Sequence, residues 1–160
     1  MAEPRRERIL ASLTSKFAGM TGTRFWGGKY NNDPIVTRIL RTPDQVNQFP
    51  YVCVQEGTGA ALSLDVPETG TDGTYVHHFP VNVWGYVRGD STITRSTWLQ
   101  RLADDVRREV LKDRQLGVFP NNLCEDITLG EEETDEGLLE PIGAFRLGLI
   151  VLAYETLPVS

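Results

Sequence analysis

The sequence predicts an α+β fold, a mixed and mainly antiparallel sheet with two helices packed on one face. Three observations carry this. A long stretch, Phe79 to Arg88, alternates with the period of two of a strand. The stretch that follows it, from about Ser96 to Asp113, carries an apolar stripe at helical spacing. The elements come in the order helix, two or three strands, long strand, helix, hairpin, which suits helices laid against one side of an antiparallel or mixed sheet. The 160 residues suffice for one domain with a proper core, and no internal repeat divides residues 1–160.

In the long strand, Val81, Val83, Gly85 and Val87 fall on one face and Asn82, Trp84, Tyr86 and Arg88 on the other. Valine and aromatics suit a pleated surface. The Trp84/Tyr86 face combines apolar bodies with hydrogen-bonding tips, so it is expected to meet another layer, a partner subunit or the protein's own loops. Gly89-Asp90 turns the chain into the second helix. There Leu99, Leu102, Ala103, Val106 and Val110 line one side, widened by Trp98 and Leu111, while Arg101, Asp104, Arg107, Arg108 and Lys112 fall mostly opposite as a solvated face. Asp104 and Arg108, four apart with the acid first, add only ~0.2–0.5 kcal/mol, so burial of the stripe must hold the helix. Ser91, Thr92, Thr94 and Ser96 are all candidate caps for its start.

The other elements follow in chain order. Pro4 suits a first helical turn, Ile9, Leu10, Leu13 and Phe17 form a stripe, and Gly19 ends it. Arg5, Arg6 and Arg8 on this helix are interleaved with Glu3 and Glu7, which argues against a basic nucleic-acid arm. Gly19 to Pro34 has loop composition, with Trp26 and Tyr30 covering the core edge or anchoring an interface. Ile35–Leu40 and Tyr51–Gln55 are predicted strands, joined through a turn at Asp44–Gln48. Gly57–Gly73 is a long polar connection holding a short apolar piece, Ala60–Val66, and is a place for contacts. Gly117–Asn122 is a turn. Leu123–Leu129 and Ala144–Tyr154 form an antiparallel hairpin around the acidic run Glu131–Glu136, which is expected at the solvated tip. The run Leu149-Ile150-Val151-Leu152 predicts burial on both faces of the last strand, in the middle of a sheet or against a neighbouring subunit.

Composition narrows the function. A net charge of −6 argues against a protein that grips nucleic acid, while allowing a surface past which DNA slides. The two cysteines, Cys53 and Cys124, fit neither a disulfide framework nor a zinc spacing, and are expected as small buried hydrophobes in strands, in a reducing compartment. The first residues lack the apolar run of a signal peptide, and Leu147–Tyr154 is too short to span a bilayer, so no membrane partner is expected. His77 and His78 are neighbours in a strand, point to opposite faces and cannot jointly bind one metal. A Cys53 nucleophile with His77 or His78 as base would need an exposed thiolate. The acidic run lacks the ligand pattern of a calcium loop. No catalytic, cofactor-binding or metal-ligating residue is assigned, no cofactor is expected, and the chain is expected not to be an enzyme.

Phe79-Pro80-Val81-Asn82-Val83-Trp84-Gly85-Tyr86-Val87, the helix Trp98-Leu99-Gln100-Arg101-Leu102-Ala103-Asp104-Asp105-Val106, the closing C-terminal strand and the opening Arg6-Glu7-Arg8-Ile9-Leu10-Ala11-Ser12-Leu13 helix together resemble the neck and tail proteins of tailed bacteriophages. Nearest is the tail terminator (tail completion) family. The resemblance covers most of the chain by layout, without an invariant motif. It implies a structural virion protein of α+β fold that forms a hexameric ring on the head-proximal end of the tail tube, stops tube polymerisation and offers the surface to which the head docks. The implied partners are further copies of the chain, the tail tube protein, the head-completion or neck protein, and genome DNA passing through the lumen without sequence-specific binding. Assembly in the host cytoplasm and residence in the virion tail or neck follow. Two alternatives stay open on the residues: another phage neck, head-completion or tail tube component, and a small enzyme or ligand-binding domain using a cleft under Gly57–Gly73.

Overall fold

The computed structural model describes residues 3–20, 34–57, 63–65 and 74–156. They form two helices, α1 (Arg5–Ala18) and α2 (Arg95–Lys112), and six strands: β1 (Ile35–Thr37), β2 (Tyr51–Glu56), β3 (Ser63–Asp65), β4 (Thr74–Arg88), β5 (Asp126–Thr134) and β6 (Ile142–Thr156). The strands make one sheet in the order β1-β2-β4-β6-β5, with β3 paired to the start of β4 beyond the end of β2. Only the β1–β2 pair is parallel among the described residues. The predicted α+β class, with a mainly antiparallel sheet, is the observed one.

Both helices lie on one face. Valines of β2 and β4 (Val52, Val54, Val81, Val83, Val87) and Phe145, Leu147, Leu149 and Val151 of β6 meet the α1 stripe Ile9, Leu10, Leu13, Phe17 and the α2 stripe Leu99, Leu102, Val106, Val110 in one core. Each of these side chains alternates with one on the opposite face, as the pleat requires. Pro4 stands at the N-cap of α1 and its carbonyl accepts from Arg8 N at 3.1 Å. Gly19 closes α1 in a right-handed conformation, its N–H reaching back to Ser15 and Lys16 carbonyls. Among the four candidates, Thr94 is the α2 cap, its Oγ1 accepting from Thr97 N at 3.3 Å.

Four expectations need correction. The central strand starts at Thr74, five residues before Phe79, because β6 continues alongside it to Thr156. β1 ends at Thr37, short of Leu40; Ile39 and Leu40 are 63% and 42% exposed and belong to a segment that crosses back over the sheet. The strand placed at Leu123–Leu129 is shifted to Asp126–Thr134, so Glu131–Glu133 lie inside β5 and the hairpin tip is residues 135–141. Pairing of Glu132 with Arg107 and of Glu133 with Arg146 supplies the acidic strand with counter-charges, and a bulge between Leu129 and Glu132 resets its register. The resulting edge strand is bulged and charged, two features that keep a sheet edge from pairing further. Finally, β6 is central but, within one chain, not buried on both faces: Leu149 and Val151 are in the core, whereas Ile150 is 41% exposed, because both helices cover the same side.

Candidate interaction surface

The outer face of the sheet, opposite the helices, carries the aromatics of the long strand. Its even-numbered β4 residues align with Tyr51 and Cys53 of β2 and with Ala144 and Arg146 of β6. At the Arg88 end this face is covered by the segment between β1 and β2. Tyr86 Oη donates to Arg41 O at 2.9 Å and Tyr51 Oη donates to Ile39 O at 2.6 Å. The two tyrosine rings stack with centroids 6.0 Å apart, and Val46 and Cys53 complete a second small core with Ala144. The Trp84/Tyr86 face is therefore divided. Tyr86 is 4% exposed under the protein's own segment, while Trp84 remains half-buried beside an opening.

That opening is a pocket of about 270 Å³, walled by Trp84, Tyr86, Ala144, Phe145, Arg146, Pro43, Leu139 and the end of β5. Arg146 Nη2 is held by Glu133 at 2.9 Å, whereas its Nε is buried without a hydrogen-bond partner among the described residues. The wall formed by the 135–141 tip is tied to α2 and β6 by side-chain contacts. Asp135, whose side chain is 6% exposed, takes Arg95 Nη1 at 3.1 Å and the N–H groups of Ala144 and Leu139 at 3.1 and 3.2 Å. Arg95 Nε also donates to Glu140 at 2.7 Å. The first residue of α2 thus fastens the tip that walls the pocket.

At the other end of α2 the chain turns through residues 113–124. Gly117 N donates to Asp113 Oδ1 at 3.0 Å, Asn121 N to Val118 O at 2.9 Å, and Leu123 N to Gln115 O at 3.1 Å. Leu116 is buried as the anchor, and Val118 and Phe119 stand out at 83% and 81% exposure. Large apolar side chains held outward on a well-bonded turn lose little further freedom if they are covered.

The groups considered for chemistry are dispersed. Cys53 pairs with Trp84 in register, and His78 lies six residues along the same strand, about 20 Å away at ~3.3 Å per residue. Cys53 lies in β2 as expected, whereas Cys124 falls in the turn before β5 and not in a strand. Burial pushes the Cys53 thiol up to about 11, offset in part by a hydrogen bond with Thr37 and the charge of Arg38. Burial, with help from the Asp113 carboxylate, pushes the Cys124 thiol up to about 12. Both are held as neutral thiols, the opposite of an activated nucleophile. Among the described residues, no three His, Cys, Asp or Glu side chains come together in a group able to hold a metal ion. No helix of the described residues is long and apolar enough to cross a membrane. Arg6, from the basic start of α1, lies over the Phe79 ring at 5.3 Å.

Trp26, Tyr30 and most of Gly57–Gly73, including the proposed cleft, fall outside the described residues. Of the surface itself, the sequence identified Trp84 and Tyr86. It missed Arg146, Leu139 and Pro43, which join the pocket only through the fold. Val118-Phe119 did carry a signal, an apolar pair set in the turn Gly117 to Asn122 where polar residues are usual. No protein-family model matches the chain, and comparison with curated proteins gives no match.

Proposed function

We propose that this chain is a structural protein of a phage virion, a tail terminator whose copies form a ring on the head-proximal end of the tail tube. In that place it ends tube polymerisation and presents the head-docking surface. The observation that carries the reading is the pairing of an open, aromatic-walled pocket on the outer sheet face with a hydrogen-bonded turn that exposes Val118 and Phe119 at the far end of α2. A protein whose task is to bind copies of itself needs such apolar contacts, because aromatic anchors in pockets carry most of the energy of an interface. The α+β layout is the one the sequence resemblance implies. The net charge of −6 suits a lumen through which DNA passes without sticking. In this reading the buried neutral thiols are packing groups, and the chain has no catalytic role.

Deletion of the gene from its source, followed by negative-stain electron microscopy, tests this. Full heads beside unjoined tails of uncontrolled length are expected. Normal-length free tails beside leaking heads would reassign the protein to head completion, and complete absence of tails to the tube itself. Intact particles, or a source that makes none, would overturn the virion reading.

A further inference from the structure

We infer that the ring is closed by one repeated contact, in which the Val118-Phe119 turn of one copy seats in the Trp84–Leu139 pocket of the next. The inference rests on the ring reading and specifies its interface. Four observations support this pairing. The sizes agree: a cavity of about 150 Å³ holds a benzene ring, so about 270 Å³ takes the Phe119 ring with room for part of Val118. The polarity agrees. Trp84, Tyr86, Leu139, Ala144 and Phe145 give the pocket mainly apolar walls, matched to the apolar Val118-Phe119 pair.

The charges agree as well. Glu133 lines the pocket and Glu140 stands on the hairpin tip that walls it, their side chains 63% and 65% exposed. Lys112 and Arg114, 59% and 47% exposed, flank the turn. The Arg114–Asp126 pair is solvent-facing, 47% and 39% exposed, and therefore weak, so Arg114 can exchange it for the carboxylates beside the pocket of a neighbouring copy, while Lys112 stays on the buried Glu109. Finally, the geometry agrees. α2 runs from the pocket wall to the turn over 18 residues, about 27 Å at ~1.5 Å per residue. Knob and pocket therefore lie at opposite ends of one protomer and cannot meet within it. A knob on one surface and its pocket on another make a heterologous contact, the kind that generates a ring when its rotation closes.

The test uses the full chain in sedimentation velocity, with circular dichroism as the check on folding. Two variants are made: Val118→Ser with Phe119→Ser, which removes the knob, and Leu139→Lys, which sets a cation at the pocket mouth against Lys112 and Arg114. Both change exposed positions in turns. At a concentration where the wild type is a ring, each variant alone is expected as a monomer, its association weakened at least tenfold. A one-to-one mixture is expected to give a dimer and nothing larger, since only one intact knob and one intact pocket remain. A ring that survives either substitution, or a mixture that stays monomeric, would overturn the knob-in-pocket contact and leave the ring reading standing. A wild type that is monomeric at every concentration would overturn the ring reading itself.

Discussion

Gly85 and Phe145 face each other across the β4–β6 ladder, and the phenyl ring occupies the space a side chain at Gly85 would need. A Cβ there would stand 2.5 Å from Phe145 Cζ, well inside van der Waals contact. Gly85 interrupts the inner-face series Val81, Val83 and Val87 of β4, where a glycine costs backbone entropy. The ring laid over it recovers buried area. Gly85→Ala is expected to destabilise the fold by about 1–3 kcal/mol, the usual cost of overpacking. In a Phe145→Leu background the same substitution should cost less, because the smaller side chain can withdraw. Urea unfolding of the four proteins of this cycle checks it; equal costs in both backgrounds would mean that Phe145 is not the obstacle.

Arg95 and Asp135 form the more buried of the two ionic contacts between α2 and the hairpin tip, with side chains 14% and 6% exposed. A cation at the first residue of a helix opposes the helix dipole, so Arg95 is there for the hairpin tip and not for α2. Asp135→Ala removes the more buried of the two carboxylate partners of a mostly buried guanidinium, and the acceptor for two backbone N–H groups. A loss of roughly 3–5 kcal/mol is expected, in the range for breaking one side of a buried pair. The pocket wall should loosen with it, so amide exchange at residues 136–143 should accelerate more than in the core. A uniform acceleration over the whole chain would mean that the contact supports global stability alone.

How much of this was legible in the sequence depends on range. α1, α2 and the phase of β4 are written in apolar spacing, which the inner face enforces: Val81, Val83 and Val87 must all point at the helices. The fate of Tyr86 was not legible, because the segment that covers it is 45 residues away at Arg41. The acidic run was misplaced because Glu131–Glu133 resemble a solvated tip until Arg107 and Arg146, distant in sequence, are brought opposite them. Leu149 to Leu152 looked buried throughout because four consecutive apolar residues do not reveal that one face of a sheet lacks a helix. The pocket is the extreme case. Its walls come from four separate stretches of chain, and only Trp84 and Tyr86 carried a local signature.

Cys53 and Cys124 are both wholly buried, and their thiols are raised from 9.0 to about 11 and about 12, with burial the largest cause. Since the folded values lie above the unfolded one, the neutral thiols contribute stability that is fully present below pH 9.0 and lost as pH rises through 11 and 12. Unfolding free energy should therefore fall between pH 9 and 11. Replacing both residues by Ala should flatten that part of the profile while lowering stability at neutral pH through the lost packing. In the native state at pH 8, an aromatic disulfide reagent should label neither thiol faster than the chain opens. Rapid stoichiometric labelling of Cys53 would contradict its place under Tyr51 and Tyr86.

Asp90 fixes the passage from β4 into α2. Its Oδ1 accepts from Ile93 N at 2.6 Å and Thr92 N at 2.8 Å, and its own N–H donates to Ile93 O at 3.0 Å. The backbone hydrogen bonds from Ile93 and Thr92 favour the charged carboxylate and hold its pKa below the ordinary 3.8. A carboxylate depressed by folding contributes stability that is present above its unfolded pKa and lost as pH falls through the lower folded value. Asn at this position keeps an acceptor of the same shape and removes only the charge. Asp90→Asn should therefore be less stable than the wild type at pH 6, and the gap should narrow as the pH is lowered below 3.8. Urea unfolding of the two proteins from pH 6 to pH 2 measures this. A gap that stays constant to the lowest pH would mean that the turn depends on the acceptor geometry alone, and that the charge on Asp90 contributes nothing to the entry into α2.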